Sequence, residues 1–185
     1  MKTSNDILSP DEQEQLGEAA SRHQYLTFIV AKDRYAIDIL SIREIIQYQI
    51  LTPVPMMPKF IAGVLNLRGN VVPVVDLALR LGKKSTPITK RSSIIITGVE
   101  DADQSLEIGL IVDGVNDVLE FTQIDPPPAF GSSIRTDFIR GMAPVNDKFI
   151  MILNLEKVLS IDELAQADPT LFEQVMKTGE TRISA

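Results

Sequence analysis

The sequence predicts a mainly β protein: two small five-stranded barrels related by internal duplication, with short helices at the connections and a C-terminal helix. Three observations carry this reading. With 185 residues, 44% of them hydrophobic, the chain can bury a core in two small units. Its apolar runs are short, rich in β-branched residues and bounded by Gly, Pro, Asn or Asp. The third is that the chain nearly repeats itself.

The repeat is seen by placing "YAIDILSIREII" (35–46) above "IGLIVDGVNDVL" (108–119), an offset of 73 (108 − 35). Apolar residues coincide at Ile37/Leu110, Ile39/Val112, Ile42/Val115, Ile45/Val118 and Ile46/Leu119, and Glu44 falls over Asp117. Pro53 and Pro55 fall on Pro126 and Pro128. The offset then grows to 78 (138 − 60), and "FIAGVLNLRGNVVPVVDLALRL" (60–81) matches "FIRGMAPVNDKFIMILNLEKVL" (138–159). Phe60/Phe138, Ile61/Ile139, Gly63/Gly141, Leu77/Leu155 and Leu81/Leu159 are identical pairs. A longer loop in "PPPAFGSSIRTDF" absorbs the change of offset.

Taken in chain order, residues 1–22 form a flexible or partly helical tail, in which Ser9 is a cap and Pro10 stands at a first helical position. His23 precedes the first strand and reads as an ordinary surface histidine. The barrel copies span about 24–82 and 92–160, within one domain at 23–165, and an exchange of end strands between them is open. "YLTFIVA", "NVVPVVDL", "SSIIITGV" and "KFIMILNL" read as strands. Pro73 cannot donate to a ladder and points to an edge position or a bulge. "PVPMMPKF" reads as a rigid connection into Phe60. Asp76 and Asn154 are N-cap residues, each followed by a short helical turn, the first closed by Gly82. Residues 166–185 form a C-terminal helix and tail: Asp168 and Pro169 start the helix, Gly179 stops it, and Leu171, Phe172, Val175 and Met176 share one face.

Composition also narrows the function. Cysteine is absent and His23 is the single histidine, so there is no disulfide framework, thiol chemistry or His-rich metal site. A net charge of −7 without a local basic patch disfavours nucleic acid and anionic lipid. No run of roughly 20 apolar residues spans a bilayer, and the polar N-terminus is no secretory signal, so the expected location is the cytoplasm, without membrane insertion. No nucleophile–base set, phosphate cradle or metal cluster is spaced for catalysis, so no catalytic residue, cofactor or metal is expected. Asp38, Glu44, Asp113 and Asp117 are the best carboxylates, two in each copy with Glu44 over Asp117, and this distribution suggests turn capping rather than a shared acid–base centre.

Surfaces remain. Positions alike in both copies serve the barrel; those that differ need another reason. Gly63 and Gly141 match, whereas Arg68 and Gly69 stand where the second copy has Asn146 and Asp147. Both pairs suit a turn, yet only the first spends an arginine on it. On the residues alone, Arg68 is either a solvated hairpin charge or an interface anchor.

"YAIDILSIREII", "PKFIAGVLNLRGNVVPVVDLALRLG", "GLIVDGVNDVLEF" and "DFIRGMAPVNDKFIMILNLEKVLS" resemble, in order and spacing, the signature segments of the CheW family of bacterial chemotaxis coupling proteins, over about residues 24–165. The resemblance implies SH3-like barrels and a non-enzymatic adaptor in signalling arrays. Such an adaptor joins the cytoplasmic tips of methyl-accepting chemoreceptors to the regulatory domain of the histidine kinase CheA, and CheW–CheW contacts in arrays are open. It implies a receptor-facing surface of Ile42, Glu44, Gly63, Arg68, Val115 and Val118; the kinase-facing residues are left unassigned. Two alternatives stand beside it: an adaptor of a non-flagellar chemosensory system, and a carboxylate-dependent hydrolase using Asp38 and Glu44 with a borrowed metal.

Overall fold

The computed structural model of the chain describes residues 23–101, 104–127, 129 and 135–160. Both end segments, including the expected C-terminal helix, lie outside the described residues. The element order is β1 (His23–Val30), β2 (Asp33–Asp38), a 3-10 turn (Ile39–Ser41), β3 (Ile42–Gln47), β4 (Ile61–Leu67), β5 (Asn70–Asp76) and α1 (Leu77–Arg80). Then follow β6 (Ser93–Asp101), β7 (Gln104–Val112), β8 (Gly114–Phe121), a second 3-10 turn (Thr136–Phe138), β9 (Ile139–Val145), β10 (Lys148–Leu153) and α2 (Leu155–Val158).

The strands form two five-stranded sheets, ordered β8-β1-β2-β10-β9 and β3-β6-β7-β5-β4. Each sheet combines strands of both sequence copies. The first takes β1 and β2 from one copy and β8 to β10 from the other; the second takes β3 to β5 and then β6 and β7. This exchange reaches further than end strands, because β10 runs parallel to β2 and β5 parallel to β7, and each parallel pair has one member from each copy.

The duplication is visible pair by pair. Val74 lies opposite Gly109 as Ile152 lies opposite Ala36. The register slips between Ile61 and Gly63 on β4, and Gly141 and Ile139 on β9 face the same slip on β10. The segments leaving β3 and β8 each make one bridge to the far edge of their sheet. Thr52 exchanges two backbone hydrogen bonds with Val64 (3.0 and 2.8 Å), and Asp125 two with Met142 (2.8 and 2.9 Å). Each sheet thereby curls until its two edge strands approach.

Three apolar clusters explain the continuous hydrophobic runs. One lies between the sheets and holds Phe28, Tyr35 and Ile37 of the first with Ile95, Ile108 and Leu110 of the second. The other two fill the inside of each sheet, around Tyr25, Phe121 and Ile150, and around Leu65, Ile94 and Ile96. A strand buried on both faces cannot alternate with polar residues, so Ile94 and Ile96 point inward while Ile95 joins the central cluster. Pro73 is buried on β5, which is not an edge strand. It is tolerated because the parallel ladder with β7 begins only at Val74, so no partner there requires its missing N–H.

Arg80 ties the two halves together. From α1 its guanidinium lies 4.7 Å from the Phe60 ring centroid and 4.8 Å from that of Phe138, and Nε donates to the Val158 carbonyl at 2.7 Å. Two ring faces and a hydrogen bond from a charged donor together contribute about 2–3 kcal/mol. Arg80→Ala is expected to lower the urea midpoint accordingly while keeping a single transition, because the central cluster still joins the halves; resolved, separate transitions would mean that Arg80, not the central cluster, couples them.

A second tie is pH-dependent. Burial raises the Tyr35 phenol above its ordinary 10.0, and the hydrogen bond from Lys83 to Asp33 raises the Lys83 ammonium above its ordinary 10.5. In both groups the folded chain binds the proton more tightly than the unfolded one. The stabilisation is therefore complete below about pH 10 and is lost as pH rises through the raised values. The melting temperature is expected to fall as pH rises above 10, and Lys83→Ala to make that fall shallower.

Candidate functional site

Arg68 and Gly69 form the two-residue turn between β4 and β5, with φ of 53° and 92°. Two left-handed residues give the twist that a tight hairpin requires. Gly69 N–H donates to Asn66 Oδ1 at 2.9 Å, which fixes the turn. The Arg68 side chain is 74% exposed and leans toward β3, where Nη2 donates to both carboxylate oxygens of Glu44 at 2.8 Å each. Glu44 is the more covered partner, at 30%. Because β3 and β4 are opposite ends of one sheet order, this pair spans the seam where the curled sheet meets itself. The Nε and Nη1 donors of Arg68 engage no group among the described residues and stay available to a partner.

The second copy lacks this strap. Asn146 and Asp147 make the same left-handed turn, φ 47° and 61°, but no ion pair joins it to Asp117. A groove of about 430 Å³ opens nearby, lined by Leu119, Glu120, Phe121, Thr122, Gln123, Pro144, Val145 and Asn146. The arginine thus distinguishes the two halves in geometry as it does in sequence.

The remaining residues of the expected receptor surface take different places. Ile42 opens β3 and Val115 lies near the start of β8; both are half-buried and pack against the central cluster from different sheets. Val118 is 47% exposed on β8, the free edge of the first sheet. Its repeat partner Ile45, 42% exposed on β3, was not singled out from sequence, although the repeat pairs it with Val118. Gly63 presents no side chain: it is buried on β4 at φ 149°, where a Cβ would stand 2.5 Å from the Thr52 carbonyl oxygen. The structure therefore joins Glu44 and Arg68 directly, and Ile42 and Val115 through the core. None of the six residues lines the larger groove of about 530 Å³, which lies beside the 3-10 turn and α2.

The carboxylates of the hydrolase alternative are separately engaged. Asp38 Oδ1 accepts from Leu40 N–H at 2.9 Å and caps the 3-10 turn, while Glu44 is held by Arg68. Asp113 Oδ2 accepts from Ala31 N–H at 2.8 Å, which steadies a β1–β2 turn whose residues Ala31 and Lys32 both have positive φ. Among the described residues, no three His, Cys, Asp or Glu side chains cluster to hold a metal ion. His23 is exposed as the first residue of β1. No helix among the described residues is long and apolar enough to cross a membrane.

Comparison with known proteins places this geometry in a family. A family model, the CheW-like domain, matches residues 24–163. The chemotaxis protein CheW of Klebsiella aerogenes is 33% identical over 147 residues, covering 78% of this chain and 86% of that protein. The chemotaxis protein CheW of Bacillus subtilis is 32% identical over 155 residues, covering 82% of this chain and 96% of its own length. The crystal structure of the scaffolding protein TtCheW from Thermoanaerobacter tengcongensis superposes with a TM-score of 0.66 at 35% identity, covering 74% of this chain and 92% of that one. Match and fold agree: the chain belongs to the CheW-like domain family.

Proposed function

We propose that this chain is a non-enzymatic chemotaxis adaptor, a scaffold that couples the cytoplasmic tips of methyl-accepting chemoreceptors to the regulatory domain of the histidine kinase CheA in signalling arrays. Kinship with proteins named chemotaxis protein CheW and with a scaffolding protein supports the adaptor role. The observation that carries the receptor surface is Arg68: exposed, held by Glu44 and left with free donors at an edge that also shows Ile45. A helical tip meets such an edge by laying apolar side chains along Ile42, Ile45, Val115 and Val118, while the guanidinium takes a carboxylate or carbonyl and fixes register. Gly63 contributes shape only, by letting the Thr52 segment close over β4. The site of action is the cytoplasmic face of receptor arrays, reached through partners.

The test is reconstitution with receptor-bearing membranes and CheA. The full chain is expected to co-sediment with the membranes and to recruit the kinase to them. Kinase recruitment that is the same with and without the chain would overturn the adaptor reading.

A further inference from the structure

Two hairpin turns related by the repeat share one backbone shape and differ in what holds them. Arg68 and Gly69 have φ of 53° and 92°, and Asn146 and Asp147 have φ of 47° and 61°. Left-handed backbone suits Asn and Asp, whose short polar side chains bond locally, and it suits Gly, which has no Cβ. Arginine has neither advantage. The first turn therefore carries a strained residue that its counterpart avoids.

The difference extends into β4. The offset of 78 sets Asn66 over Pro144, and the two hold the same ladder position, Asn66 opposite Val71 and Pro144 opposite Phe149. Asn66 Oδ1 accepts the Gly69 N–H at 2.9 Å. A proline side chain has no acceptor, so the second turn keeps its shape without any such bond. The hydrogen bond is thus not what makes the hairpin. It occurs in the half whose turn bears an arginine, together with the bonds from that arginine to Glu44.

We propose that Asn66 is a positioning residue for Arg68. Its amide oxygen pins the Gly69 N–H, holds the strained turn in one conformation and so keeps the guanidinium at the seam, 2.8 Å from both Glu44 oxygens. The anchorage is firm on the strand side, because Leu65 and Leu67 on either side of Asn66 pack into the cluster inside the second sheet. A guanidinium already held in place gives up less freedom when a partner takes it, so the bond acts on affinity more than on folding. The proposal rests on the reading of Arg68 as the receptor contact and deepens it by naming the residue that prepares that contact.

The test uses the isotope-labelled full chain and receptor-bearing membranes. In the unmodified protein the Arg68 Nε–H is expected to give a heteronuclear NOE nearer to that of the β4 backbone than to that of the exposed Arg34 side chain. Asn66→Ala is expected to lower it and to weaken co-sedimentation about threefold, the loss that one exposed hydrogen bond accounts for. Asn66→Asp keeps an acceptor at the same reach and is expected to restore both readouts, which a general loss of stability would not allow. In an Arg68→Ala background, Asn66→Ala is expected to change co-sedimentation no further. An Arg68 NOE that Asn66→Ala leaves unchanged, or a loss of co-sedimentation that persists in the Arg68→Ala background, would overturn the proposal. If Arg68→Ala alone leaves co-sedimentation unchanged, the receptor reading fails, and the NOE by itself still decides whether Asn66 holds the arginine.

Discussion

Arg68→Glu is expected to weaken co-sedimentation with receptor-bearing membranes by about 30-fold, while the protein stays folded. The two effects separate because they have different origins. An anchoring arginine at the centre of an interface costs roughly 2 kcal/mol or more when lost, which corresponds to that change in affinity. The pair with Glu44 is a surface ion pair with one member three-quarters exposed, and such pairs contribute about 0–1 kcal/mol to folding. Glu44→Lys is expected to act in the same direction, by releasing the guanidinium from the position in which the seam holds it. The exchanged pair, Arg68→Glu with Glu44→Arg, restores attraction across the seam but not the placement of the positive charge. Binding is therefore expected to stay weak in the exchanged variant while its melting temperature returns to that of the unmodified protein. Recovery of binding in that variant would show that closure of the seam, not the guanidinium, is what the receptor reads.

Gly63→Ala is expected to destabilise the protein by about 3 kcal/mol, the sum of an unfavourable backbone conformation and an overpacked contact. Its φ of +149° is one that L side chains rarely adopt, and the new methyl would stand 2.5 Å from a backbone oxygen that is itself hydrogen-bonded to Val64. Two further glycines grade the effect. At Gly141 the methyl would meet Ile124 Cγ2 at 2.5 Å and the Asp125 oxygen at 2.9 Å, so a flexible side chain can absorb part of the clash. At Gly69, φ +92°, there is nothing within 4 Å, so only backbone strain of about 1 kcal/mol remains. Urea unfolding of the three variants is expected to give that order, Gly63 most affected and Gly69 least, with an unchanged denaturant slope. An equal loss at all three would mean that strand closure through Thr52 and Asp125 carries no special stability.

The repeat was legible because duplicated packing leaves duplicated apolar positions. Every offset read from the sequence reappears in the register of the sheets, down to Gly63 and Gly141 beneath matching bridges. How the strands are shared between the sheets was not legible. Parallel pairing of β5 with β7 and of β10 with β2 joins residues far apart in sequence, and no local signal marks such a partner. The β1–β2 turn was hidden for a different reason: Ala31 and Lys32 carry no turn preference, and the conformation is held by Asp113 from across the sheet. Pro73 misled because a proline is barred only where a neighbouring ladder needs its N–H, and that ladder starts one residue later.

The site was legible in its members more than in its construction. Glu44 and Arg68 stood out singly, by position in a repeat and by departure from it. Their mutual pairing depends on the curl that brings β3 to β4, a property of the whole sheet. Ile45 escaped notice although the repeat sets it over Val118, because apolar matching alone does not separate an exposed edge residue from a core residue.

The central claim is that the edge around Arg68 meets a helical partner. Its most direct measurement is the perturbation of backbone amide resonances of the isotope-labelled full chain on adding a receptor cytoplasmic-tip fragment. The account predicts that the largest shifts fall on Ile42, Glu44, Ile45, Arg68, Val115 and Val118, and that Arg68→Glu abolishes them. Shifts confined to the groove from Leu119 to Gln123 and Pro144 to Asn146, or unchanged in Arg68→Glu, would contradict it.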